Sequence, residues 1–483
     1  MEISSTRKLC RSLIACAIRR CRISENPCRL SVLLKISPDS DPPLARIAIS
    51  DTGVGSSLAE FQDVEHGRKQ ISVENWDGVL FITTTSICDK EVYHYRLNLK
   101  ETVAKKKLAR LPSTPKKDGK FSGTEVSFST HESIPDFVAW ITRLCREIVI
   151  IKVPFLDFLQ KVVVELVVEH MNNSGSRCEQ LLQANEGIIL PSSMPNIERL
   201  TSGLEDFVLR HGNALDKECQ GCFLSREHLK VGSGVADGGD SVKSTGQIME
   251  VVIVITEVPK SLNPPCLTAC GKSTEVLFFQ DFSPCSIPQS SLTALASIDW
   301  QNYGLALRTH FVDGDGHAVL QWEELPPFAH IDIALHSYHI KPPQTQQRNH
   351  EYKNLVKKAV KLALDDLKAK YPGILLSPNA LKIRRYAPDL SRAIAGLISS
   401  SNDLEFRAEC VSLLGLDPLG TIEQGKIESC ITEKIGEIIA MNDCKPNRGR
   451  GHGPLLFRED GVHTEDYQDE GDEECEDINI LDL

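Results

Sequence analysis

Near the N-terminus, Leu9, Leu13, Cys16 and Ala17 recur at three- and four-residue spacing, which predicts a helix with one buried face. Arg29-Leu-Ser-Val-Leu-Leu-Lys-Ile36 alternates and is rich in branched side chains, so it reads as a strand. A turn at Asp39 to Pro43 leads to a second strand, Leu44 to Ser50, which ends directly at Asp51-Thr-Gly-Val-Gly55. Strands follow at Gly78 to Ser86 and Glu91 to Leu99. A basic, proline-containing loop (Lys105 to Lys120) precedes another strand at Gly123 to Phe128. Helices are expected at Ile134 to Ile148 and Phe155 to His170. The pattern weakens over 171–245, where Gly/Ser-rich Val231 to Gly246 reads as a linker or exposed loop. Strands return at Ile248 to Val258 and Thr274 to Gln280. Tyr303 to His310 and His317 to Trp322 flank Asp313-Gly-Asp-Gly316, a hairpin turn. Leu355, Ala359, Leu362, Ala363 and Leu367 place a long helix over Glu351 to Lys370, with more helices to about Ala440.

Composition adds limits to this pattern. With 483 residues, 41% of them hydrophobic and 25% charged, the chain is globular and long enough for several domains. A formal charge of −12 argues against a nucleic-acid binder, but the charge is unevenly placed. Arg458 to Leu483 holds 12 acids and one base, whereas residues 1–120 hold 21 bases and 14 acids. The acidity therefore describes a tail that reads as disordered, and the first 120 residues are positive.

Sixteen cysteines without regular spacing read as reduced thiols. Cys219 and Cys222 have CxxC spacing but lack a second pair, and Cys266 and Cys270 lack histidine partners nearby, so no metal is assigned. The apolar run Ile148 to Val168 carries Lys152, Asp157, Lys161 and Glu165, each costly in a bilayer, so it reads as a buried strand followed by an amphipathic helix. Arg7, Lys8, Arg11, Arg19, Arg20 and Arg22 give the N-terminus the look of a transit peptide. A folded helix is the better reading, because the strands after it need a helix to cover them.

Two motifs fail on inspection. Gly271-Lys-Ser273 resembles the end of a phosphate-binding loop, but Cys266 stands where the cradle needs its first glycine. Asp313, Asp315 and Glu324 fall at EF-hand spacing, but Ala318 replaces the required glycine and His317 a ligand, so the hairpin reading stands.

The informative signal is Asp51-x-Gly-x-Gly55 in its order of elements, with Gly123-Thr124 opening a later strand. A carboxylate at a strand end can accept from an adenine amino group, and glycines let backbone approach a nucleotide closely. In this order the motifs resemble the GHKL (Bergerat-fold) ATPases. The resemblance implies an adenine-binding Asp51, with Gly53, Gly55, Gly123 and Thr124 around the nucleotide. In that family the first helix carries a Glu that activates water and an Asn that binds magnesium. Here Arg11-Ser-Leu-Ile-Ala15 aligns with the Asn context, so Arg11 and Arg7 take those places. Neither arginine can act as a base or ligate a cation. The two could still hold a phosphate, which keeps residual ATP binding open. Lys105 to Lys120 stands where the glycine-rich lid is expected.

Asp299-Trp-Gln-Asn-Tyr-Gly-Leu305 is similar to a stretch of the topoisomerase VI B-subunit transducer domain. Glu275-Val-Leu-Phe-Phe279 before it, and His336-Ser-Tyr-His-Ile340 with a long helix after it, continue the match. Trp300 and Tyr303 are equally readable as two core aromatics beside a turn. Arg348 falls near the family's switch lysine. Together these features resemble the meiotic topoisomerase VIB-like proteins, particularly the plant form.

The resemblance implies an α+β chain in which a degenerate Bergerat α/β sandwich (1–150) precedes a helical middle segment and linker (151–245). A transducer-like domain (246–375), a C-terminal helical region (376–445) and a disordered tail (446–483) complete it. It implies a non-catalytic nuclear subunit of the complex that makes meiotic DNA double-strand breaks, with vestigial nucleotide-binding residues Asp51, Gly53, Gly55, Gly123 and Thr124, and no cofactor. The implied partners are A-like tyrosine transesterase subunits, other double-strand-break proteins and DNA, with a homodimer inside a heterotetramer and no membrane. Glu351 to Lys370 and Leu381 to Leu416 are the expected partner-contact segments. An active GHKL ATPase in repair or chromatin, and a scaffold that keeps the fold for protein contacts only, are the alternatives.

Overall fold

Ser4 opens the first helix: its hydroxyl accepts the Arg7 amide at 3.3 Å, satisfying one of the orphan donors of the first turn. Helix α1 (Ser5–Arg22) then buries Leu9, Leu13, Ile14, Ala17 and Ile18 on one face, so the folded-helix reading of the basic N-terminus is the observed one. The computed structural model describes residues 4–37, 44–61, 75–100, 108–117, 120–151, 162–172, 175–184, 195–211, 226–237, 246–257, 273–314, 316–325, 329–339, 349–416 and 424–443.

α1 covers a sheet built from β1 (Cys28–Ser37), β2 (Leu44–Asp51), β3 (Val79–Thr85), β4 (Glu91–Asn98), β5 (Leu108–Pro115), β6 (Gly123–Thr130), β7 (Val162–Asn172) and β8 (Gly175–Ala184). The order is β5-β4-β3-β6-β2-β1-β7-β8, antiparallel except for β1 with β7. That parallel pair follows from the crossover helix α2 (Ile134–Ile150), which starts with Pro135 in its first turn and packs Phe137, Trp140, Ile141 and Leu144 on the sheet beside α1. One apolar layer between two helices and the sheet is the core of this first domain.

Three expectations are corrected here. The helix expected at Phe155 to His170 is strand β7 from Val162 onward, because a Val-Val-Val run has branched side chains suited to a pleated surface and lies parallel to β1. Residues 152–161 lie outside the described residues. The sheet consequently extends to Ala184, past the expected boundary at 150, and the middle segment is not wholly helical. The basic loop Lys105 to Lys120 contains β5, an edge strand where Pro112 and Pro115 cost little because one side has no ladder to break.

α3 (Asn196–His211) follows, and a short 3₁₀ turn at Arg226–His228 leads into the second sheet. Its strands are β9 (Leu229–Asp237), β10 (Gln247–Glu257), β11 (Ser273–Gln280), β12 (Ser283–Pro284), β13 (Ala306–Val312), β14 (Ala318–Glu324) and β15 (Ala329–His339). The order is β13-β14-β11-β15-β10-β9, with β12 on β11. Only β11 and β15 pair in parallel among these. Helix α4 (Gln289–Ala296) and the long helix α5 (Asn349–Lys370) close one face, and α3 packs on the other.

The Gly-rich segment read as a linker is strand β9. A Cβ on Gly232 would stand 2.2 Å from the Ala363 carbonyl, and one on Gly234 2.2 Å from that of Ala359. Glycine is there because α5 lies directly on the strand. Trp300 and Tyr303 are core residues that join parts of this domain. Trp300 donates to the Leu295 carbonyl at 2.9 Å and meets Trp322 edge-on, while the Tyr303 hydroxyl donates to Asp365 of α5 at 2.8 Å. Gly304 takes the left-handed φ of 72° that the turn after them needs.

Beyond the sheet, α6 (Pro378–Ser400), α7 (Leu404–Leu413) and α8 (Gln424–Asp443) form a small helical group around Ala395, Ile398, Val411, Ile427 and Ile431. Among the described residues no helix is long and apolar enough to cross a membrane. Residues 444–483, including the acidic tail, lie outside the described residues, as do Arg348, Lys272 and Cys219, Cys222, Cys266 and Cys270.

Candidate functional site

β2 ends at Asp51 and β6 begins at Gly123-Thr124, and antiparallel register makes Asp51 and Thr124 direct partners. The five residues singled out in the sequence therefore meet at one end of the first sheet. The turn after Asp51 passes very close to its neighbours. A Cβ on Gly53 would lie 2.7 Å from the Arg20 backbone, one on Gly123 2.4 Å from the Asp51 carbonyl, and one on Gly55 2.6 Å from that of Thr85. Gly55 also has a φ of 88°, which only glycine adopts at no cost. The Thr84 and Thr124 hydroxyls stand 2.9 Å apart, and the Ser56 amide donates to Thr84 at 2.8 Å.

Asp51 is 4% exposed, and both of its carboxylate oxygens are engaged. Oδ1 accepts the Gly53 amide at 3.0 Å. Oδ2 accepts Arg20 Nε at 3.0 Å and a terminal guanidinium nitrogen at 2.7 Å. The other terminal nitrogen of Arg20 pairs with Glu60. Burial works against the Arg20 charge, but Asp51 and then Glu60 outweigh it and raise the guanidinium above its ordinary value. The carboxylate to which the resemblance assigns an adenine donor thus accepts from an arginine of the same chain.

Sequence reasoning named Asp51 but not its partner. The signal was present: Arg20 continues the stripe Leu9, Leu13, Cys16/Ala17 at helical spacing, so it faces inward, and a buried guanidinium requires a carboxylate.

The arginines at the catalytic positions of the resemblance are also committed within the chain. Arg7 Nε pairs with Glu132 at 3.4 Å, and both Arg7 and Arg11 lie over the Trp140 ring. Arg11 crosses to the second domain, donating to the Ser286 hydroxyl at 2.7 Å and approaching His317 Nε2 at 3.4 Å. There it joins Glu147 and Arg143 of α2, Glu275 of β11, and Asp313 and His317 of the β13–β14 turn. Burial works against the Glu147 charge, yet His317, Arg143 and Arg11 hold its carboxyl down to about 2. Burial likewise opposes charge on His317, and Glu147 pushes it above its ordinary value. On the same sheet His336 Nδ1 stands 2.9 Å from Glu250, which also accepts from Tyr338 at 3.1 Å.

A sheet ending in the Asp51 turn under α1 and α2, followed by a second sheet carrying a long helix, is a two-domain α+β arrangement in the element order that the sequence resemblance implies. Two family models match the chain: "MTOPVIB middle domain" over residues 197–371 and "Meiotic topoisomerase VIB-like C-terminal domain" over residues 379–444. The chain belongs to the meiotic topoisomerase VIB-like family.

Among solved structures it is similar to the N-terminal domain of a DNA repair protein, with 11% identity, 73% of this chain and 91% of that one covered, and a TM-score of 0.34. The Aquifex aeolicus MutL ATPase domain complexed with ADP shows 11% identity, 73% and 96% coverage, and a TM-score of 0.30. The DNA gyrase B-subunit from Myxococcus xanthus shows 13% identity, 74% and 89% coverage, and a TM-score of 0.32. No curated protein matches the sequence.

Proposed function

We propose that this chain is a non-catalytic B-like subunit of a topoisomerase-VI-like complex that forms meiotic DNA double-strand breaks in the nucleus. Cleavage belongs to A-like tyrosine transesterase subunits, which this chain bridges as a dimer within a heterotetramer that engages DNA together with other double-strand-break proteins. The observation that carries the reading is the Arg20–Asp51 pair. The carboxylate of a nucleotide site already has its donors, and the Glu and Asn positions of an active relative hold Arg7 and Arg11, both paired internally. Asp51, Gly53, Gly55, Gly123 and Thr124 then serve the fold as a vestigial site, and no nucleotide cofactor is required.

Partner contact falls to the C-terminal helices. The apolar face of α5 packs on its own sheet through Leu355, Val356, Ala359, Val360 and Ala363, which removes most of that segment from the expected contact surface. α6 instead leaves Ile383, Tyr386, Leu390 and Leu397 in solvent at spacings that share one face, with Tyr386 72% exposed. An apolar helix stripe of this kind suits a partner helix.

The test is magnesium-dependent ATP turnover by the pure chain, alone and with a transesterase partner. The expected result is none. Turnover that Asp51→Asn abolishes would replace this reading with an active ATPase.

A further inference from the structure

The β13–β14 turn holds side chains that the proposed function does not use. Asp313 Oδ1 accepts the His317 amide at 2.8 Å, and the Asp313 amide donates back to the His317 carbonyl at 2.9 Å. Gly316, with a φ of 86°, lets the turn close. This pins Asp313 and His317 to one side of the hairpin and directs Asp313 Oδ2 toward the ring. Strand β14 pairs with β11, which brings Glu275 beside them. His317 Nδ1 lies 3.5 Å from Glu275 Oε1 and 3.6 Å from Asp313 Oδ2.

Those separations exceed the 2.7–3.2 Å of an ordinary N–H···O bond, so a proton on Nδ1 bonds well to neither carboxylate. Two ligand atoms each about 2.0–2.2 Å from a tetrahedral ion stand roughly 3.3–3.6 Å apart, which is the spacing found. His317 Nδ1 and Glu275 Oε2 have no hydrogen-bond partner, although the residues are only 5% and 4% exposed; Glu275 Oε1 pairs with Arg143. His317 Nε2 lies 3.0 Å from Glu147 Oε1, the carboxylate–imidazole contact that fixes the tautomer and leaves Nδ1 its lone pair.

The neighbours agree on charge. Three carboxylates (Glu147, Glu275 and Asp313) face two guanidinium groups, Arg143, which pairs with Glu147 and Glu275, and Arg11. These five side chains alone leave the cluster one positive charge short, which either a bound cation or a protonated His317 supplies.

We propose that Glu275, Asp313 and His317 bind a divalent first-row transition ion, with Glu147 as the positioning residue that orients His317. One imidazole with two carboxylates suits zinc, manganese or ferrous iron better than calcium, which needs more oxygen ligands. Glu275 and the hairpin belong to the second sheet, whereas Glu147 and Arg143 come from α2 under the first. The ion therefore fixes the joint between the two domains, independently of the proposed function.

The test uses the full chain, stripped of metal by EDTA and titrated with Mn²⁺, which avoids the cysteine thiolates that would capture zinc. Pulsed EPR should show one bound Mn²⁺ with nitrogen modulation from a single imidazole. His317→Gln should remove the nitrogen signal and weaken binding by at least about 100-fold, and Glu147→Gln should weaken it about 10–100-fold. Thermal unfolding without metal checks that each variant is folded. If His317→Gln does not fold, Asp313→Asn, at the solvent-reaching edge of the cluster, must weaken binding instead. Absence of nitrogen modulation in the unaltered chain would overturn the proposal, leaving a protonated His317 as the missing cation. Modulation retained in the folded His317→Gln variant, or in Asp313→Asn with unweakened binding, would overturn it too, as would an adventitious ion only, bound at millimolar concentration.

Discussion

Arg20 places two of its nitrogens on one carboxylate oxygen of Asp51, at 3.0 and 2.7 Å, with both side chains sealed from solvent. The pair ties the last turn of α1 to the end of β2, so a contact that looks like a ligand site performs a structural task. Removing one member leaves the other charge buried without compensation, which costs far more than the intact pair contributes.

Arg20→Ala is therefore expected to destabilise the chain by about 3–5 kcal/mol. Chemical denaturation would show this as a lowered midpoint. Removing both charges with Arg20→Met and Asp51→Asn should recover part of the loss. If Arg20→Ala unfolds at the unaltered midpoint, the pair has no structural role.

The glycines of β9 offer a test of the long-helix packing. Gly234→Ala puts a methyl group 2.2 Å from the Ala359 carbonyl and 2.5 Å from the Ala363 amide, both backbone atoms that cannot swing aside. The expected cost is about 1–3 kcal/mol, and each kcal/mol lowers Tm by roughly 2–4 °C in a domain of this size. Gly415→Ala meets nothing within 4 Å and serves as the contrast, although its φ of 76° adds some strain of its own.

Acid should loosen the C-terminal helices through Asp443. Burial alone would raise this carboxyl, but hydrogen bonds from Lys368 and Ser377 outweigh it and hold it below its ordinary value of 3.8. A depressed carboxyl contributes stability that is fully present above its unfolded value and is lost as pH falls through the folded one. Hydrogen-exchange protection in α8, taken relative to the intrinsic rate at each pH, should fall below about pH 4 in the unaltered chain. Asp443→Asn should show faster exchange already at pH 7 and a smaller change on acidification.

Much of this architecture was legible in the sequence because its signals are local. Alternation gave β1 and β2, helical spacing gave α1 and α5, and Asp313-Gly-Asp-Gly316 marked its hairpin. The errors came where tertiary context decides. The Val162 run is compatible with helix or strand by hydrophobicity, and only its parallel partner β1 selects the strand. Gly232 and Gly234 look like linker glycines until α5 is laid on them. At the site, Asp51 and its glycines were visible as a motif. Arg20 could be placed on the inward stripe of α1, but the carboxylate that explains it lies 31 positions away in the chain. The cluster around His317 draws on residues from Arg11 to His317, a span no local pattern can reveal.

The central claim, that this chain is a bridging B-like subunit, is tested most directly by the mass of its complex. Co-expressed with an A-like tyrosine transesterase and measured by light scattering, the chain should elute as a two-to-two assembly. Charged substitutions at Tyr386 and Leu397, both exposed and hence harmless to the fold, should release the partner while leaving Tm unchanged. A chain that remains alone in the presence of a folded transesterase, or a complex indifferent to both substitutions, would contradict the account.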